Sequence, residues 1–140
     1  MLVVLDTNHF SEWTLQSASG EHLKQLCQQS GTEVFTTIIT SQESAEGWFA
    51  LINRKPPGEA QVPYYDLYHN SLLELQDLGM LPFDHEAALA FEKLRQMKIR
   101  IGTMDLKIAS ICLAHDALLL SRNRVDFEKV PGLRVENWLD

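Results

Sequence analysis

Residues 2–8, LVVLDTN, set four apolar side chains in a row and then three polar ones. An unbroken apolar run this short, with polar residues at its end, marks a strand covered on both faces, as parallel strands are. Asp6, Thr7 and Asn8 all carry side chains able to cap a helix, so the strand is expected to pass straight into a short helix over 9–15. A matching run, Ala117-Leu118-Leu119-Leu120, stands far along the chain and precedes a polar loop, Ser121 to Asp126. Between them, residues 21–29 repeat apolar positions at helical spacing after a break at Gly20, and Gly31 closes that helix. Val34 to Ile39, rich in β-branched residues, predicts a second strand. Thr40 opens a helix to about Asn53, which the Pro56-Pro57-Gly58 turn ends. Residues 63–78 make an amphipathic helix, and Met80 to Phe83 a short strand limited by Pro82. Asp84 caps a helix to about Met97, Gly102-Thr103 starts another to about His115, and Leu133 to Glu136 is a last, edge strand. Strands alternating with helices predict an α/β fold, a three-layer α/β/α sandwich with a mostly parallel central sheet, as one domain over 1–140.

With 45% hydrophobic and 22% charged residues, the composition is that of an ordinary globular protein. A chain of this length buries roughly 70% of its unfolded surface. No apolar run approaches the ~18 residues of a membrane span. MLVVLDTN lacks a basic leader and a cleavage site, so the expected location is cytoplasmic. Cys27 and Cys112 show no C-x-x-C spacing and are expected as reduced core thiols. The five histidines form no H-x-H or H-E-x-x-H pattern, which argues against zinc. A net charge of −7 argues against a protein coated in phosphate contacts. The charge is uneven, however: residues 1–92 hold 3 Lys+Arg against 13 Asp+Glu, and residues 93–140 hold 9 against 6. Lys93, Arg95, Lys98, Arg100, Lys107, Arg122 and Arg124 form either a solvated basic face or an approach for an anionic substrate.

Three acids, Asp6, Glu43 and Asp105, each stand at or just beyond the end of an apolar segment. In an open parallel sheet such strand-to-helix junctions share one edge, where ligands bind. Carboxylates gathered there repel unless a cation joins them, and an all-oxygen set suits Mg²⁺ or Mn²⁺. Each acid also has a duller reading. Asp6 is a good helix N-cap, and Asp105 sits in a first helical turn where the helix dipole favours an acid. Thr40-x-x-Glu43 is a formal capping box. Asp126 and Glu128 lie in a charged loop.

Four stretches together resemble the PIN domain, most closely the VapC-type toxins of bacterial toxin–antitoxin pairs. LVVLDTN is similar to that family's first-strand signature, and TIITSQESAEG to its I-T-x-x-E-x-x-x-G helix. IGTMDLKIA resembles I-G-x-x-D-x-x-I-A. LLLSRNRVDFEKVPGLRVENW resembles the closing block that runs through Pro-Gly-Leu to Trp138. The resemblance implies a ribonuclease using Mg²⁺ (or Mn²⁺), with Asp6, Glu43 and Asp105 as metal ligands and Gly47 as a packing glycine. Asn123 stands where a fourth acid is frequent, with Asp126 three residues on, and both are implied as auxiliary. Ser121, where Thr is usual, or Thr7 would orient water or phosphate, and Asn8 would hold the Asp6 loop. The chemistry fits independently: phosphodiester hydrolysis needs an activated water and charge stabilisation, which a carboxylate-held cation supplies. The implied partners are RNA, a small cognate antitoxin and a second copy of the chain, docked through Tyr64, Tyr65, Tyr68 and Leu72. A PIN fold without cleavage, acting through partner or RNA contacts, is the alternative that Asn123 supports. A phosphatase of the D-x-D-x-T kind does not fit D-T-N-H-F.

Overall fold

Val3, Val4 and Leu5 have no exposed surface, and they divide between two separate apolar clusters. Val4 packs with Ile108, Ile111 and Leu119, whereas Val3 and Leu5 pack with Phe10, Leu23, Leu118 and Leu120. This alternation places a core on each face of one sheet, and an apolar run without polar interruption follows from it.

The computed structural model describes residues 1–140. The strands are β1 (Leu2–Leu5), β2 (Glu33–Thr37), β3 (Met80–Leu81), β4 (Leu118–Leu120) and β5 (Arg134–Glu136). The helices are α1 (Thr7–Leu15), α2 (Ala18–Ser30), α3 (Ile38–Asn53), α4 (Val62–Leu78), α5 (His85–Gln96), α6 (Thr103–Ala114) and the single turn α7 (Arg124–Phe127). A 3₁₀ turn, Glu59–Gln61, leads into α4. The sheet order is β3-β2-β1-β4-β5, and every pairing is parallel. The α/β expectation therefore holds, and the sheet is parallel throughout. β3 is the short strand expected near Met80, and β5 is the edge strand expected near Leu133. No helix is long and apolar enough to cross a membrane.

Four local expectations are corrected. β2 stops at Thr37, and Ile38-Ile39 belong to α3, because the Thr37 hydroxyl accepts the Thr40 N–H at 3.1 Å and starts the helix there. The Thr40–Glu43 capping box is thereby excluded. Gly20 is not a break: α2 begins at Ala18, capped by Ser17, whose hydroxyl accepts the Gly20 N–H at 3.0 Å. A Cβ at Gly20 would collide with the Glu12 carbonyl of α1, so this glycine serves a close helix approach. Gly47 has open space around it and packs against nothing. The polar segment after β4 contains α7 rather than loop alone. Cys27 and Cys112 are buried free thiols, one in each cluster, hence on opposite faces of the sheet.

Candidate active site

Successive strands depart from β1 in opposite directions, to β2 on one side and to β4 on the other. In open parallel sheets the crevice for ligands opens at such a reversal, beyond the carboxyl ends of the strands. Asp6 stands at that point, and its N–H donates to the Leu120 carbonyl at 3.1 Å, tying the ends of β1 and β4 together. The residue is buried, and its carboxylate accepts the His9 N–H at Oδ1 over 2.8 Å. Asp6 is thus the N-cap of α1, and this is compatible with ligation because Oδ2 takes no hydrogen bond. His9 Nδ1 also faces Oδ1 at 3.3 Å.

Glu43 is brought to the same edge by α3. Thr7 donates its hydroxyl proton to Glu43 Oε1 at 2.6 Å. The Thr7 and Thr40 hydroxyl oxygens lie 3.2 Å apart. Thr7 has already used its proton, so the buried Thr40 must be the donor, and a chain Thr40→Thr7→Glu43 results. Thr7 therefore orients Glu43 and leaves no proton of its own for water or phosphate. Asn8 is exposed and makes no side-chain hydrogen bond. The His9 backbone does the loop-holding expected of it.

Asp105 lies in the first turn of α6. Burial chiefly, and then the negative charges of Glu43, Asp6 and Asp126, push its carboxyl above the ordinary carboxylate range. The Asn123 amide works the other way, donating to Asp105 Oδ2 at 3.5 Å and to Asp126 Oδ2 at 3.1 Å. Two carboxylate neighbours fix which end of that amide is the nitrogen. Hydrogen bonds from Asn123 and Lys129 hold the Asp126 carboxyl below the ordinary range. Ser121, fully buried, accepts the Asn123 N–H at 2.9 Å and so shapes the loop after β4.

The acids share one electrostatic neighbourhood without forming a tight cage: no three His, Cys, Asp or Glu side chains stand in mutual ligating reach. That arrangement fits a hard divalent cation. Mg²⁺ keeps several waters and takes only one or two carboxylates directly. The donors are all oxygen, and the excess negative charge around Asp105 is what a cation would offset. Among residues given no part in the site by the sequence, Thr40 and His9 prove central. Thr40 carried a signal only as a cap, and the D-x-x-H spacing of Asp6 and His9 was the available hint for the other.

An open parallel α/β fold with acids gathered at its reversal point is the class that fold and site define. The PIN domain family model matches residues 3–133, and the chain belongs to that family. Ribonuclease VapC2 of Rickettsia felis is 34% identical over 68 residues, a match covering 46% of this chain and 51% of that protein, about half its length. The crystal structure of VapBC2 from Rickettsia felis bound to a promoter DNA fragment contains a chain similar at TM-score 0.78 and 22% identity, covering 99% of both chains. VapBC-1 from nontypeable Haemophilus influenzae gives TM-score 0.78 at 20% identity over 100% of both chains. FitAcB from Neisseria gonorrhoeae gives 0.67 at 22% over 96% of both.

Proposed function

We propose that this chain is a VapC-type ribonuclease, the toxin of a toxin–antitoxin pair, which hydrolyses RNA phosphodiester bonds with a water activated at a Mg²⁺ or Mn²⁺ site. The observation that carries the reading is geometric: β1, α3 and α6 bring Asp6, Glu43 and Asp105 to the carboxyl edge of the sheet at its reversal point, where Asn123 links Asp105 to Asp126. A divalent cation bound there would lower the pKa of water and neutralise charge on the phosphate. Asp6, Glu43 and Asp105 are the ligands, directly or through water. Thr7 fixes the Glu43 carboxylate, Asn123 bridges Asp105 to Asp126, and Ser121 holds the backbone that carries Asn123. The relative matched over about half its length is a ribonuclease, and with the neighbours that are VapBC complexes it supports RNA as substrate and a small antitoxin as partner.

The test is cleavage of RNA with Mg²⁺, with excess EDTA, and by Asp105→Asn. Cleavage only by the parent with Mg²⁺ is expected. Undiminished cleavage in EDTA would overturn the cation requirement. A second reading, a PIN fold that binds without cutting, draws on Asn123, an amide donor where an acid would add charge. It requires RNA retention with no turnover under any divalent cation.

A further inference from the structure

His9 has no solvent exposure, yet its Nδ1 has no hydrogen-bond partner of proper geometry, alone among buried side-chain polar atoms. Its other ring nitrogen is engaged: Nε2 accepts the backbone N–H of Trp138 at 3.3 Å, across 129 residues of sequence. A nitrogen that accepts carries no proton, so the proton of the neutral ring sits on Nδ1. That N–H stands 3.3 Å from Asp6 Oδ1. A buried donor without a partner is costly, and a small rotation of the carboxylate supplies one. The same oxygen already takes the His9 backbone N–H at 2.8 Å. One residue thus aims two donors at Oδ1 and leaves Oδ2 unclaimed.

The far end of this link is anchored. Leu139 is buried in the cluster that holds Phe10 and Leu120. Arg122 grips the Asp140 carboxylate with two bonds, at 3.1 and 3.2 Å, and Asn137 donates to it at 2.8 Å. Trp138 N–H is therefore a fixed donor rather than a loose tail.

We propose that His9 is a positioning residue: pinned by the segment 137–140, it holds the Asp6 carboxylate with Oδ2 free to receive the cation. This rests on the reading of Asp6 as a ligand. Outer partners of metal ligands typically contribute 10–100-fold in affinity. A ring that were only a strut between α1 and the segment 137–140 would be replaceable by any side chain of its shape.

The test uses the whole chain and the metal alone. In the cation-free parent, long-range ¹H–¹⁵N spectra should show His9 protonated at Nδ1 and bare at Nε2. Mn²⁺ affinity by calorimetry is then compared for the parent, Asp6→Asn, His9→Phe and His9→Gln. We expect Asp6→Asn to lose binding and folded His9→Phe to bind more than about tenfold more weakly, with faster amide exchange at Trp138. His9→Gln, which still accepts and donates, should recover part of the affinity. Parent affinity in folded His9→Phe, or an Nε2-protonated ring in the parent, overturns the proposal. Parent affinity in Asp6→Asn instead overturns the ligand reading beneath it. If His9→Phe fails to fold, the Gln variant and the tautomer decide: Gln binding no better than Asp6→Asn, or the wrong tautomer, counts against it.

Discussion

Two hydroxyls and one carboxylate form a line at Glu43, and their chemistry separates charge from shape. A glutamine there still presents an oxygen to the Thr7 proton but has no negative charge. Glu43→Gln should keep its melting temperature nearly unchanged while Mg²⁺-dependent RNA cleavage falls by orders of magnitude. Parent-level cleavage would remove Glu43 from the site. Asp105 makes a prediction about pH. Its carboxyl titrates above the ordinary range in the folded chain, so the folded state holds that proton more tightly than the unfolded one. Stability of the cation-free protein is therefore greatest with Asp105 protonated and declines as pH rises from the ordinary carboxylate range through the raised value. In thermal melts over that window, Asp105→Asn should lack this share of the decline, and its gain over the parent should shrink when Mn²⁺ is added to both. Asn123→Asp, which replaces a donor with a charge between two acids, should lower the cation-free melting temperature and tighten Mn²⁺ binding in calorimetry. The opposite pair of shifts would mean that Asn123 does not separate Asp105 from Asp126.

At the level of helices and strands, identical residues take different meanings from their surroundings. Gly20 and Gly47 are both helical, and propensity alone favours alanine at each by roughly 0.5–1 kcal/mol. Gly47→Ala should yield that gain, since nothing lies near its added methyl. Gly20→Ala should instead destabilise by about 1–3 kcal/mol, because the methyl meets the Glu12 carbonyl. Denaturant unfolding of the two variants measures both. The same dependence on surroundings explains what could be read in advance. Runs with one environment on both faces, Leu2–Leu5 and Leu118–Leu120, were legible because burial demands an unbroken apolar string. The β2–α3 boundary was not, since Ile38 and Ile39 suit a strand by propensity while the Thr37 cap overrides them. Thr37→Ala should accordingly cost ~1 kcal/mol. The three acids were legible from their junctions, but not what holds them: the Thr40–Thr7–Glu43 line and the His9–Trp138 bond join residues far apart in sequence.

For the molecule as a whole, the α3–α4 pair carries much of its exposed apolar surface. Tyr64 and Tyr68 are less available than expected: the Lys55 ammonium lies 5.3 Å from the Tyr64 ring centre, and Tyr68 meets Phe49 edge-on at 5.3 Å. Tyr65 and Leu72, seven residues apart and so on one side of α4, remain open. If that face joins two copies, sedimentation at high micromolar concentration should show a dimer, and Tyr65→Lys with Leu72→Lys should shift it to the 16.0 kDa monomer. A parent that sediments as a monomer would exclude this use of the face.

The sheet order also sets a timetable. β1 lies between β2 and β4, so its partner on one side is made some 115 residues after it. At ~5–20 residues per second on a ribosome, that gap lasts on the order of ten seconds. Throughout it, Asp6 has neither the Leu120 carbonyl that fixes its backbone nor the Trp138 amide behind His9. If the acid site works as proposed, cation binding and cleavage begin only after residues 118–138 have emerged and supplied those two contacts.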